Sequence, residues 1–178
     1  TRVPAHVTVI TAEDIQRTTA QNVPEVLRSL AGVQAIDISG NQRNYNLDIR
    51  GFGESSPQNI LLLVDGRRIN LPDLSGPDWN LVPLERIERI EVIRGSRGNL
   101  LYGDNATAGV INIITKEGGA LSGQLSAAYG SCDTFRGSLS ASGAQGPLAL
   151  DITTTYLDNT GYRDNSDSDT KDVGLNLR

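Results

Sequence analysis

The chain predicts a small α/β domain, a mixed sheet with short helices, followed by antiparallel β-strands. Two observations carry this. Up to Lys116, short β-rich runs alternate with capped helical segments, the pattern of a sheet with helices packed on it. After Glu117-Gly118-Gly119 helices vanish, Ser, Thr and Gly take over, and the chain alternates apolar and polar residues with a period of two. The most informative stretch is Ile87 to Lys116, which gives strand, loop, short helical turn, loop and strand in succession.

Composition excludes several function classes. With 178 residues, 38% of them hydrophobic, the chain can build a core in at least part of its length. The formal net charge is -5 and the basic residues are scattered, so there is no phosphate-binding stripe and nucleic acid is not expected as a partner. His6 and Cys132 are the only residues of their types. They allow no intrachain disulfide, no zinc or haem ligand set and no Ser-His-Asp or Cys-His arrangement, so neither an enzyme nor a cofactor is expected. The longest apolar run, Ile60 to Val64, is far short of the roughly twenty residues a membrane helix needs. The chain opens at Thr1 without a charged n-region or apolar h-region and stops at Arg178 inside an alternating segment, so both ends read as boundaries of a fragment.

The elements follow in order. Val7 to Ile10 is β-rich, and Thr11-Ala12-Glu13-Asp14 fits a capping box opening a short helix to about Arg17. Asn22-Val23-Pro24-Glu25 caps a second helix with Val23, Val26, Leu27 and Leu30 at helical spacing, ended by Gly32 in a left-handed cap. Val33 to Ile38 and Asn46 to Arg50 are strands around a polar loop, Ser39 to Tyr45. Ile60 to Val64 turns at Asp65-Gly66, a hairpin signal because both central positions need positive φ, and returns through Arg67 to Asn70. After a Pro- and Asp-rich loop, Leu71 to Asn80, Pro83 opens a helical turn that leads into the strand Arg89 to Arg94.

Beyond residue 119, Leu121 to Gly130, Phe135 to Gly143, Leu148 to Leu157 and Val173 to Leu177 alternate at roughly the ten-residue length of a transmembrane β-strand. Soluble sandwiches alternate too. The aromatics favour an outer-membrane barrel: if the first strand runs outward, Tyr129, Phe135 and Tyr156 share one rim, where an aromatic girdle lies. The connections agree, with a short turn at Ala144 to Pro147 and a long polar loop at Asp158 to Asp172.

The segments VTVITAEDI, VPEVLRSLAGV, LDIRGFG, ILLLVDGRRIN, LVPLERIERIEVIRG and LLYGDNATAGVINIITK stand in the order and spacing of the plug domain of TonB-dependent outer-membrane receptors. The chain resembles that family, and the loop after DGRRIN looks most like its cobalamin-receptor branch. Where the family usually has Pro after the glycine of its RGP segment, Ser96 follows Gly95. The resemblance implies a plug over residues 1–118, and over 119–178 the first about four strands of a roughly 22-stranded outer-membrane barrel of a Gram-negative bacterium, the plug filling its lumen. It implies a receptor and active transporter for cobalamin or a ferric siderophore, driven by TonB through a segment upstream of Thr1, with outer-membrane lipid around the barrel.

The resemblance also assigns roles. Arg50 and Arg94 match plug arginines that latch onto carboxylates of the barrel wall, a pairing suited to the bidentate guanidinium. Ligand contacts are expected from the loops Asn41 to Tyr45, Gly53 to Asn59 and Leu71 to Asp78, through Asn44, Tyr45, Glu54, Asp73, Leu74, Ser75 and Asp78. Trp79 reads as a core or loop anchor rather than a ligand platform. Asp164, Asp167 and Asp169 offer carboxylates to Ca²⁺ without the spacing of an EF-hand, so a solvated loop is the preferred reading.

Two other readings stay open. One is a signal-transducing receptor of the same family. The other is a surface adhesin rich in β-structure, which requires Leu125, Leu139, Ile152 and Leu175 to pack into a closed core. On the barrel reading those side chains are left bare, and strands with open edges are expected to be disordered, to pair with another copy or to fold against the plug.

Overall fold

The computed structural model describes residues 6–38, 40, 42, 44–71, 77, 79, 82–95, 106–116, 121–131, 133–146, 148–161, 165 and 167–177. The chain forms two compact units, one from Thr1–Ile38 and Asn44–Thr115, the other from Ser39–Arg43 and Lys116–Arg178. The short helical turn expected after Gly95 and the thiol of Cys132 lie outside the described residues.

In the first unit, β1 (His6–Thr11) runs into α1 (Ala12–Gln16) through the expected capping box: Asp14 N–H donates to Thr11 Oγ1 at 3.3 Å, and Thr11 N–H to Asp14 Oδ2 at 3.0 Å. Helix α2 (Val23–Ala31) starts where Asn22 Oδ1 accepts from Glu25 N–H at 3.0 Å and ends at Gly32, whose φ of 60° lets Val33 N–H turn back to Leu27 O. A two-stranded ribbon follows, β2 (Gln34–Asp37) against β3 (Tyr45–Asp48).

The five-stranded sheet has the order β1-β6-β7-β4-β5, from β4 (Ile60–Val64), β5 (Arg67–Arg68), β6 (Ile87–Arg94) and β7 (Gly109–Thr115). Among the described pairings of this sheet, only that of β4 with β7 is parallel. One sheet face packs with α1, α2 and Trp79 around Ile10, Leu27, Ile60, Leu62, Ile90, Val92, Ile111 and Ile113. A smaller cluster, Leu61, Leu63, Ala106 and Val110, gathers residues of alternate parity. Burial on both faces explains why Ile60 to Val64 is apolar without interruption.

The Asp65-Gly66 turn forms as expected, with φ of 49° and 75°. Its return strand is shorter than expected, because Asn70 completes the ladder with its side chain: Leu62 N–H donates to Oδ1 and Nδ2 donates to Ile60 O, both at 2.8 Å. Asp65 also closes the far end of β7, accepting from Thr115 N–H at 2.9 Å and from its hydroxyl at 2.6 Å.

In the second unit, β8 (Ser122–Tyr129), β9 (Phe135–Gln145), β10 (Leu148–Asn159) and β11 (Ser168–Leu177) form one antiparallel sheet in chain order. Among the described residues they pair in register. The pairs Leu125–Leu139 and Ile152–Leu175 lie directly opposite, so all four leucine and isoleucine side chains share a face with Tyr129, Phe135 and Tyr156. The Phe135 and Tyr156 ring centroids are 6.2 Å apart.

That face is the bare one. Leu125, Leu139, Ile152 and Leu175 are 80%, 55%, 39% and 68% exposed, while Ser138, Thr153, Thr155 and Asn159 of the other face are buried. A water-soluble sheet does the reverse, so the adhesin reading with its closed apolar core is overturned. The long loop expected from Asp158 to Asp172 is also corrected. β10 continues to Asn159 and β11 already begins at Ser168, with Asp158 opposite Asp169. Side-chain apolarity marks only the part of a strand that meets lipid, whereas the ladder needs only backbone groups and runs on past it.

A labelling experiment separates the two faces. With Cys132 replaced by Ser in the full-length protein, a fluorophore on a cysteine at 125, 152 or 175 is quenched by brominated lipid, and one at 126, 138 or 153 is not. Equal quenching on both faces contradicts the assignment.

Candidate functional site

The sequence places the first arginine two residues after Asp48, in Asp48-Ile49-Arg50-Gly51-Phe52-Gly53. Asp48 is 7% exposed and turns the chain about itself. Its Oδ1 accepts from the N–H groups of Arg50 at 2.9 Å, Gly51 at 2.7 Å and Phe52 at 3.1 Å, and its Oδ2 from Gly53 N–H at 2.9 Å. Gly51 and Gly53 supply the positive φ values, 79° and 58°, that let four successive donors converge. Burial pushes the carboxyl upward, but the four backbone donors outweigh it and hold the group at about 2. This capture ends β3 at Asp48, two residues before the strand was expected to end.

Arg50 is exposed, and its guanidinium lies against Gly95: a Cβ built on Gly95 would stand 3.3 Å from one of its nitrogens. No hydrogen bond from this guanidinium is made to a described residue. Arg94, next to that glycine, is half-buried and turned the other way. Its Nη1 donates to Thr8 Oγ1 at 2.7 Å and its Nη2 to the carbonyl of Ala31, the last residue of α2. The two arginines expected to act together therefore stand in different surroundings.

Of the expected ligand loops, Glu54 is exposed in the first turn of a 3-10 helix (Gly53–Gln58), and Asn44 is half-buried with its carbonyl accepting from Ile38 N–H at 3.0 Å. Tyr45 is corrected. It opens β3 with its ring in the core, 6% exposed, and its hydroxyl accepts from Asn22 Nδ2 at 3.1 Å, while burial pushes the phenol upward. The alternation of Tyr45 and Leu47 with Asn46 and Asp48 carries that signal in the sequence. Asp73, Leu74, Ser75, Asp78 and Asp164 lie outside the described residues. Trp79 is 1% exposed in the core. Asp169 accepts from Lys171 at 3.2 Å, and no group of three acidic, His or Cys side chains among the described residues meets Asp167 or Asp169.

The family model described as TonB-dependent Receptor Plug Domain matches residues 1–110. The chain belongs to the TonB-dependent receptor family.

The vitamin B12 transporter BtuB of Vibrio cholerae is 42% identical over 130 residues, covering 72% of this chain and 21% of its own. The ferric enterobactin receptor of Pseudomonas aeruginosa is 34% identical over 171 residues, 88% of this chain and 22% of its own. Among solved structures, the siderophore receptor PirA from Pseudomonas aeruginosa superposes with a TM-score of 0.70 at 31% identity, over 99% of this chain and 32% of PirA. The ferric yersiniabactin uptake receptor FyuA from Yersinia pestis shares the fold, with a TM-score of 0.73 at 23% identity, over 97% of this chain and 28% of FyuA. The chain spans about a fifth of the length of the curated relatives it matches. Its family places this TonB-dependent receptor in the Gram-negative outer membrane, which accounts for the bare apolar face of β8 to β11.

Proposed function

We propose that the full-length TonB-dependent receptor takes up a scarce nutrient, a cobalamin or a ferric siderophore, through a barrel gated by the plug, residues 1–118, with residues 119–178 its first strands. The observation that carries this reading is a plug-family fold followed in the same chain by strands whose apolar face is bare and whose polar face is buried. The names of the relatives support the ligand class: one moves vitamin B12 and another receives ferric enterobactin. Relatives of these names are transporters and receptors, in keeping with a protein that moves a ligand and makes no bond.

In this reading Asn44, Glu54, Asp73, Leu74, Ser75 and Asp78 stand on loops that meet the ligand, and Arg50 offers its guanidinium to a carboxylate of the barrel wall. An extended segment upstream of Thr1 adds to a sheet of TonB, which supplies the energy. Short elements held by polar contacts give such a domain low-stability units that open locally. Equilibrium binding of cobalamin, ferric catecholate, ferric hydroxamate and haem to the purified full-length receptor tests the proposal. Saturable binding of a corrinoid or one ferric chelate is expected. Binding of none of the four overturns it.

A further inference from the structure

We infer that Arg94 is the lock on the first strand of the plug, fastening β1 and the end of α2 to the sheet from within. Among the described residues β1 is an edge strand whose one ladder is with β6, six residue pairs from His6–Arg94 to Thr11–Arg89. Along β6, Ile90, Val92 and Arg94 share one side, and Ile90 and Val92 belong to the core that α2 covers. The parity of the strand therefore aims Arg94 inward, under the end of α2.

There it does two things. Across the ladder it reaches the diagonal neighbour Thr8, whose backbone is paired with Val92. Above the sheet it donates to Ala31 O, an orphan carbonyl in the last turn of α2, where a cation also meets the negative end of the helix dipole. The two terminal nitrogens of a planar guanidinium, held apart in a fixed fork, take one acceptor each, whereas an ammonium would have to reach both from a single nitrogen.

The other ties on β1 are few. Val7 and Val9 are about half exposed, at 47% and 51%, so among the described side chains of this strand Ile10, 2% exposed, is the one apolar group fully in the core. Releasing β1 requires Arg94 to give up Thr8 and Ala31 O. Any outside carboxylate that draws Arg94 away loosens β1, and by linkage the loss of β1 frees Arg94 for such a carboxylate. Arg50, presented outward over Gly95, carries no such role.

Hydrogen exchange on the full-length receptor, followed by peptide, tests this. R94Q is expected to speed exchange over residues 6–11 and 28–33 by about tenfold, with β7, residues 109–115, unchanged. T8V keeps the shape and strand preference of the side chain and should speed 6–11 alone. The R94Q/T8V double variant should exchange no faster over 6–11 than R94Q, because Thr8 acts through Arg94. R94K falls between wild type and R94Q, and R50Q leaves both segments at wild-type rates. Unchanged exchange over 6–11 in R94Q overturns the inference, as do independent multiplying effects of R94Q and T8V. Should R94Q not reach the membrane, T8V decides alone, and wild-type rates over 6–11 then overturn it.

Discussion

Replacing Asp48 by Ala loosens residues 48–53 of the full-length receptor by about 3 kcal/mol, read as faster amide exchange and protease cleavage in that loop. Four backbone donors lose a charged acceptor at once, and no other acceptor for them exists among the described residues. Asp48→Asn is milder. Its carbonyl oxygen still serves Arg50, Gly51 and Phe52, while its amide meets Gly53 N–H donor to donor.

The same carboxylate predicts a pH dependence. Its folded-state pKa, about 2, lies below the ordinary carboxyl value of 3.8, so the folded loop binds protons less readily than the unfolded chain. Its stabilisation is therefore complete above roughly pH 5 and is lost as pH falls toward 2, about 2 kcal/mol in all. Exchange of residues 50–53 should quicken across that window in the wild type and stay flat in Asp48→Ala. An acid response that survives the substitution places its origin in another group.

Gly109→Ala is the second large effect. A Cβ at this position meets Ile93 O at 2.4 Å and Ile49 Cδ1 at 3.3 Å, and the first contact is with backbone in the paired strand. β6 and β7 must part at the Arg94–Gly109 pair, which also disturbs the Gly95 N–H bond to Ala108 O. A cost of about 3 kcal/mol is expected, with faster exchange along Val110 to Ile113. Gly123→Ala is the control, since its Cβ meets nothing nearer than Ser140 O at 3.8 Å, and a change within about 0.5 kcal/mol is expected there.

Much of the frame was legible because its signals are local. Thr11 with Asp14, Asn22 with Glu25, Gly32 and the Asp65-Gly66 pair each satisfy nearby backbone groups, so adjacent residues suffice to place them. The period of two beyond residue 119 was legible for the same reason. What escaped was set by partners distant in sequence. The depth of Tyr45 depends on Asn22, the direction of Arg94 on Thr8 and Ala31, and the insertion of β7 between β6 and β4 on pairings made across some fifty residues. The turn around Asp48 also has a local signal, an acidic residue followed within five positions by Gly51 and Gly53, the residues that free the backbone to bring four N–H donors onto one carboxylate.

On the proposed function, these residues are the plug and first strands of a receptor that imports its ligand under energy from TonB. Uptake tests it most directly: cells whose only receptor of this class is the full-length protein are given the radiolabelled corrinoid or ferric chelate it binds, with and without a proton-motive force. Accumulation that stops when the force is collapsed is the predicted result. Binding without accumulation, or accumulation indifferent to the force, contradicts it.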